Sequence, residues 1–255
     1  MADWNPAQYE RFKDERSRPY FDLLDMVQPR PGLNCLDLGC GTGELTAQLH
    51  SRLGAKTTLG IDSSPAMLSK AAAHAAPGLA FAQGDIATFA PQGAVDLVFS
   101  NAALHWLPDH TKLLARIAAW LGPQGQLAVQ VPANNDHASH RVAHEVAARP
   151  EFASAMQGYV RQWSVLAPEA YSTLLHGLGF TRQLVRLQVY LHVLDSANAV
   201  VEWVKGTLLT DYEKRLGPAL FASYLKQYQA ALRAVLGDQR PYPYAFKRVL
   251  FWAMR

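Results

Sequence analysis

The chain has 255 residues, 49% of them apolar and 18% charged, with a formal net charge of +3. That length buries a sizeable core, and that composition excludes a disordered chain. So mild a positive balance does not by itself call for nucleic acid, and it suits a small anionic partner.

No uninterrupted apolar run is long enough for a membrane span, and MADWNPAQYERFKDERSRP lacks the apolar stretch of a secretory leader. Asn34–Leu38 reads as a first strand. Leu45, Leu49 and Leu53 recur at four-residue spacing, one face of a helix. Thr57–Ile61 is a second strand, and Ser63 and Ser64 before Pro65 start a helix, because serine caps and proline suits the first turn. An alanine-rich helix passes through Ala71–Ala76, and Leu79–Ala82 is a third strand. Val95–Ser100 is a fourth, apolar nearly throughout, as expected of a strand covered on both faces. Asp109–Leu121 is helical, Gly122, Pro123 and Gly125 break it, and Leu127–Val131 is a fifth strand. Strands alternating with helices imply a parallel sheet with right-handed crossovers.

The second half changes character. Asp136–Ala148 and Glu151–Trp163 read as helices, and Pro168–Leu178 is another, stopped by Gly179. Arg182–Leu191 is a strand, a mostly helical stretch runs to Gly237, and Phe246–Met254 is the last strand. The stretch before that strand is too long for a hairpin loop and is expected to form a lid over the open end of the sheet. Cys35 and Cys40 fall in one strand-and-loop segment, which argues against a disulfide and for a reducing cytoplasm.

The strongest signal is Cys35-Leu36-Asp37-Leu38-Gly39-Cys40-Gly41-Thr42-Gly43-Glu44. An apolar strand ends in a glycine-rich turn and a helix begins at once, at the carboxyl end where open α/β sheets bind ligands. A dinucleotide fingerprint places its glycines first, third and sixth, whereas here they stand first, third and fifth, with Glu44 sixth. An acidic side chain at the helix start repels a pyrophosphate, so a cofactor without phosphate is favoured. The Gly-Lys-Ser/Thr ending of a phosphate-binding loop and the Gly-x-Ser-x-Gly nucleophile turn are absent.

This segment resembles the first motif of the class I S-adenosylmethionine-dependent methyltransferases, and the resemblance continues in order. Asp62 in LGIDSSPAML matches the acidic residue that holds the two ribose hydroxyls, and Met67 an apolar residue near the adenine. Gly84-Asp85-Ile86 matches the pair that reads adenine, while Asn101 and Ala102 end the fourth strand beside the expected sulfonium. Asp37, Gly39, Gly41 and Ser63 complete the cofactor set within these motifs. LGPQGQLAVQVP resembles the segment entering the fifth strand, where Gln124 and Gln126 around Gly125 replace paired glycines. Taken singly, Asp62 and Asp85 are as readily cap or turn residues.

The resemblance implies an α/β fold: a Rossmann-like doubly wound sheet, mostly parallel with the last strand antiparallel, and a helical lid inserted before that strand. Residues 31–194 and 245–255 would form the core, 195–244 the lid with 134–163 as a candidate addition, and 1–30 a helical segment over the cofactor.

DWNPAQYERFKDERSRP, GIDSSPAM and NAALHWLPDH are further similar to the trans-aconitate methyltransferase family, which esterifies a carboxylate of a small tricarboxylate. Such a nucleophile is ionised near neutral pH and needs no general base. Catalysis then rests on positioning, which supplies ~7–11 kcal/mol in favourable cases. The expected groups are cations and donors. Arg16 and Arg18 suit carboxylates, Arg18 for the methionine end of the cofactor and Arg16 for the substrate. Trp4 and Tyr9 are candidates to close over the cofactor, His105 and Trp106 to meet the substrate, and Lys205, Tyr242 and Tyr244 to line the pocket. His137, His140 and His144 share one side of a helix but lack the spacing of zinc helices, so no metal is expected and a solvated or lid-facing side is the reading.

Three alternatives stay open. They are carboxyl methylation of a carrier-bound acyl chain, another small-molecule O-methylation, and a protein that binds the cofactor without transfer. An Asn/Asp-Pro-Pro-aromatic signature and a basic tail are missing, which sets nucleic acid aside. A cytoplasmic monomer or weak dimer, with no membrane partner, is expected.

Overall fold

The computed structural model describes residues 13–159 and 161–255, with side chains from residue 17 onward. Its first part comprises α1 (Lys13–Leu24), β1 (Asn34–Leu38), α2 (Glu44–Leu53), β2 (Thr57–Asp62), α3 (Pro65–Ala71), β3 (Leu79–Gln83), β4 (Val95–Asn101), α4 (His110–Ala118) and β5 (Leu121–Pro132). There follow α5 (Ala138–Ala147), α6 (Pro150–Met156), α7 (Pro168–Gly177), β6 (Arg182–Leu194), α8 (Ala199–Lys205), α9 (Thr210–Leu236) and β7 (Tyr242–Met254).

Seven strands form one sheet in the order β3-β2-β1-β4-β5-β7-β6. The pairs β1/β2, β1/β4, β2/β3 and β4/β5 are parallel, and β5/β7 is antiparallel. The order reverses between β1 and β4, which opens a crevice at their carboxyl ends. Leu36, Leu38, Leu97, Val98 and Phe99 on these two strands are buried, as are Leu113, Leu114 and Ile117 of α4. Each such side chain contributes about 1.5–3 kcal/mol.

The chain divides into two compact units. One, the sheet unit, gathers Asp14–Pro132, Trp163–Gln188 and Arg248–Arg255. The other, the helical unit, includes Ala133–Gln162 and Val189–Lys247. In the sheet unit, Ser64 caps α3 through Met67 N at 3.4 Å with Pro65 in the first turn, and Gly54 ends α2 in the left-handed conformation. The core of the helical unit is aromatic. Tyr212, Tyr224 and Tyr228 of α9 stack in series, with centroids 5.4 and 6.1 Å apart. Their buried hydroxyls keep their protons, because burial pushes the Tyr224 and Tyr228 pKa values above the usual range. Tyr224 donates to Ala143 O at 3.0 Å and Tyr228 to Ser139 O at 3.1 Å, which ties α9 to α5.

Several element boundaries differ from the sequence expectation; α4 ends at Ala118 rather than Leu121, and β6 runs to Leu194 rather than Leu191. The alanine-rich helix ends at Ala71, and Ala72–His74 is a 3-10 turn. The strand expected from Leu127 begins at Leu121. Gln124 accepts the left-handed turn at φ 59°, so Leu121 already pairs with Val95 and Gln126 resumes the ladder opposite Leu97. The helix expected over Glu151–Trp163 stops at Met156, where Gln157 turns left-handed at φ 47° ahead of Gly158. The last strand starts at Tyr242 rather than Phe246.

Gln126 also explains the glycine replacement. Its buried amide accepts from Gln28 N (2.8 Å) and Trp252 Nε1 (2.7 Å) and donates to Gln28 O (2.8 Å), fastening the approach to β1 onto β5 and β7. Among the described residues, no helix is long and apolar enough to cross a membrane.

Candidate active site

The β1–α2 turn is built by glycine for two different reasons. Gly39 (φ +81°) and Gly43 (φ +76°) have no room: a Cβ on Gly39 would stand 2.3 Å from Ala103 Cβ, and one on Gly43 2.8 Å from Ala71 Cβ and Phe81. Gly41 (φ +56°) instead faces open space, with no atom within 4 Å of such a Cβ. The first two glycines bring the turn against its neighbours, and the third leaves a bare surface in the crevice.

The turn's amides are already engaged. Gly39 N and Cys40 N both donate to Ile61 O at 2.8 and 3.0 Å, Gly43 N donates to Cys40 O at 3.1 Å, and Gly41 N donates to Asp62 Oδ2 at 3.0 Å. A phosphate site needs such amides directed at the ligand. This turn aims two of them at the Ile61 carbonyl of β2, one at its own Cys40 carbonyl and one at the Asp62 carboxylate, and Glu44 opens the next helix. A pyrophosphate has no cradle in that arrangement.

Asp62 sits half-buried at the end of β2, with Oδ1 accepting from Ser64 N at 2.9 Å. Its turn-forming role is therefore real, and it orients the carboxylate rather than exhausting it. Each oxygen takes one backbone N–H and retains a lone pair for a ligand hydroxyl. Asp85 is exposed after β3 and forms the same local turn, Oδ1 accepting from Ala87 N at 2.8 Å. Beside it, the Arg116 guanidinium of α4 donates to the carbonyls of Ile86 and Ala87 and stiffens that loop. Sequence reasoning missed Arg116, because an arginine on a helix surface carries no motif.

Beneath the turn, Asp37 is 2% exposed and accepts from Thr46 Oγ1 at 2.5 Å. Burial raises its pKa to about 7, the Asp62 charge adds to the shift, and the Thr46 bond opposes it. Burial likewise pushes the Cys35 thiol up to about 12 and the Cys40 thiol further; both cysteines are free and have no reactive thiolate.

β4 delivers the remaining crevice residues. Asn101 ends the strand, and its Oδ1 is buried with no hydrogen-bond partner among the described residues. Ala102 follows at φ 54°, a left-handed conformation that alanine rarely adopts, held by Ala102 N donating to Gln130 O at 2.9 Å. Leu104–Trp106 form a 3-10 turn that places the His105 and Trp106 rings 4.7 Å apart, Trp106 being 48% exposed. Ser164 Oγ donates to His105 O at 3.2 Å, and buried His110 receives the Tyr171 hydroxyl on Nδ1 and bonds Leu104 O through Nε2 at 3.0 Å, so the turn is braced twice.

The sheet unit thus brings together Asp37, Gly39, Gly41, Asp62, Ser63, Met67, Asp85, Ile86, Asn101, Ala102, His105 and Trp106 on β1, β2, β4 and the segments that follow β1–β4. Arg18 is exposed on α1. Trp4, Tyr9 and the Arg16 side chain lie outside the described residues. Lys205 and Tyr242 belong to the helical unit, where Tyr244, fully buried, accepts from Asn134 Nδ2 at 3.2 Å. The three histidines do not share a solvated side: His137 precedes α5 as its cap, His140 is half-buried, and only His144 is exposed. No metal-binding group of three or more His, Cys, Asp or Glu occurs among the described residues.

A doubly wound sheet in this order, a glycine turn closed to phosphate, and an oriented carboxylate ending β2 define an S-adenosylmethionine-dependent methyltransferase. A family model described as "Methyltransferase domain" matches residues 35–125. The trans-aconitate 2-methyltransferase of Deinococcus radiodurans is 49% identical over 258 residues, covering 99% of this chain and 98% of the relative. That of Methylobacterium nodulans is 41% identical over 91% of this chain and 90% of its own. The chain belongs to the trans-aconitate 2-methyltransferase family.

Solved structures agree on the fold. The YcgJ protein of Bacillus subtilis superposes with a TM-score of 0.62 at 16% identity over 93% of this chain and 98% of its own. A phosphoethanolamine N-methyltransferase 2 of Haemonchus contortus, complexed with S-adenosylhomocysteine, gives 0.59 at 18% identity over 97% of this chain and 56% of its own.

Proposed function

We propose that the chain transfers the methyl group of S-adenosylmethionine to a carboxylate of trans-aconitate, giving a methyl ester. The observation that carries the substrate is the near full-length identity to the Deinococcus enzyme. When bound, S-adenosylmethionine supplies an electrophilic methyl on a sulfonium.

The residues present fit an adenosyl group. Asp62, held by Gly41 N and Ser64 N, accepts from the sugar hydroxyls, and bare Gly41 lets the ligand approach the backbone. Met67 and Ile86 cover the base, and Asp85 accepts from its exocyclic amine. The unsatisfied Asn101 Oδ1 takes an N–H donor from the methionine end, whose carboxylate pairs with Arg18. Asp37 acts through the turn above it, and Ser63 and Ala102 shape the crevice rim. Trp4 and Tyr9 close over the ligand.

On the substrate side the nucleophile arrives ionised, so no side chain removes a proton. Arg16, His105, Trp106, Lys205 and Tyr242 hold and orient the carboxylates, and rate comes from alignment. The protein acts in the cytoplasm as a monomer or weak dimer, without metal, nucleic acid or membrane partner.

Incubating purified protein with methyl-labelled cofactor and a panel of small acids tests the proposal. A base-labile labelled ester on trans-aconitate is expected. No ester on any di- or tricarboxylate would overturn it.

A further inference from the structure

Strand β5 buries two glutamines on one face of the sheet unit, and the fold uses them differently. Gln126 and Gln130 are both 0% exposed. Gln126 engages both ends of its amide within the protein, through Gln28 and Trp252. Gln130 engages one end. Its Oε1 accepts from Arg248 Nη1 of β7 at 3.3 Å, and its Nε2 has no hydrogen-bond partner among the described residues. A guanidinium only donates, so the amide atom facing Arg248 is the oxygen, and the N–H groups face away from it.

The register shows where those N–H groups lie. Gln130 pairs with Asn101 of β4, and Ala128 pairs with Phe99. Partners in register present their side chains to the same face. The row of Phe99 and Ala128 is buried and apolar, and the Tyr20 ring packs 4.8 Å from that of Phe99. Two residues further toward the carboxyl ends, the same face turns polar with Asn101 and Gln130. β4 ends at this row, and Ala102 N donates to Gln130 O beside the crevice. Asn101 Oδ1 is also unsatisfied, so the row offers an acceptor on one strand and a donor on the next, at a strand spacing of ~4.8 Å. Buried polar groups left without partners are costly, and an apolar pair would fill the row without that cost. A donor in this place suits an anion, because an N–H bond to a carboxylate is stronger than one between neutral groups.

We propose that Gln130 binds the substrate, its Nε2–H donating to a carboxylate oxygen next to the cofactor end held at Asn101. Arg248 is the positioning residue that keeps the amide from turning over. This assignment rests on the reaction proposed above and places recognition on residues outside the glycine-turn motifs.

The test is calorimetric titration of trans-aconitate into the full chain saturated with S-adenosylhomocysteine, for wild type, Gln130→Glu and Gln130→Met. Glutamate keeps an acceptor for Arg248 but removes the donor, so it preserves the internal bond and opposes the ligand. Methionine keeps the shape and decides the question if the glutamate variant folds poorly. The expected loss in trans-aconitate affinity is about hundredfold for Gln130→Glu and about tenfold for Gln130→Met. The Michaelis constant should rise more than turnover at saturation falls, with S-adenosylhomocysteine affinity within about twofold of wild type. Arg248→Lys should weaken trans-aconitate binding on its own yet add nothing in the Gln130→Met background; a further loss there would remove its positioning role. Trans-aconitate affinity within about twofold of wild type in both Gln130 variants, or an equal fall in S-adenosylhomocysteine affinity, overturns the inference; wild type that still esterifies trans-aconitate leaves the reaction standing. A wild type that esterifies no polycarboxylate removes the reaction and the inference with it.

Discussion

At the β1–α2 turn of the sheet unit, the groups that shape the crevice are the backbone amides and three glycines of one short segment, with one carboxylate brought to them by the neighbouring strand β2. Around α5 of the helical unit, the polar groups are side chains gathered from α5 and α9, set by aromatic packing. The first arrangement tolerates little change in shape at Gly39 and Gly43, and its three glycines fall within one short segment of sequence. The second depends on tertiary packing and tolerates changes in shape better than changes in charge.

The largest expected effect is electrostatic. Asp37 keeps its proton in the folded chain up to about pH 7, whereas the unfolded chain releases it near the ordinary carboxyl value of 3.8. The folded state therefore binds more protons in that window, and the stability contributed at Asp37 falls as pH rises from about 4 to about 7, then levels off. Asp37→Asn should remove that slope and raise stability above pH 7 by up to about 4 kcal/mol, read from urea unfolding across pH. An unchanged slope would show that the carboxyl is already ionised when buried.

Gly39→Ala comes next. It introduces both the 2.3 Å clash with Ala103 and a left-handed alanine, at a cost of about 3 kcal/mol. Gly41→Ala, free of any clash, carries only the left-handed strain of about 1–2 kcal/mol, so it should lose less stability than Gly39→Ala yet bind cofactor more weakly. Equal stabilities for the two variants would erase the distinction between packing and ligand-facing glycines. Asp62→Ala should weaken S-adenosylhomocysteine binding by about 1.5–3 kcal/mol in calorimetry, while its melting temperature moves less, since only two backbone amides lose a partner. Wild-type affinity would remove Asp62 from the site. In the helical unit, Tyr228→Phe deletes one buried hydroxyl bond to Ser139 O and should cost only about 1 kcal/mol, or about 2–4 °C in thermal melts. A loss as large as that of Gly39→Ala would make α5 as intolerant as the turn.

This contrast also explains what can be read from the residues alone. The strands β1 to β4, the turn glycines, Asp62 and Asp85 are legible because apolar runs and glycine spacing are local signals. The early start of β5 is hidden because Gly122, Pro123 and Gly125 look like a break, although Gln124 carries the left-handed turn and Leu121 pairs with Val95. The helix after Pro150 looks longer than it is because Gln157, not a glycine, takes the left-handed cap. His137 and His140 are visible only as a helical stripe, since the Ser139 hydroxyl between them and the Tyr228 bond to Ser139 O are products of packing and not of spacing. Thr46 under Asp37 and Arg116 over the Ile86 loop leave no local trace for the same reason.

The central claim is that the β1–α2 crossing accepts an adenosyl ligand without phosphate. Parallel calorimetric titrations of S-adenosylhomocysteine and of NAD into the purified chain test it most directly. Saturable binding of S-adenosylhomocysteine at one site, with no heat from NAD and no competition by it, is the predicted result. Tight NAD binding that excludes S-adenosylhomocysteine would contradict the account.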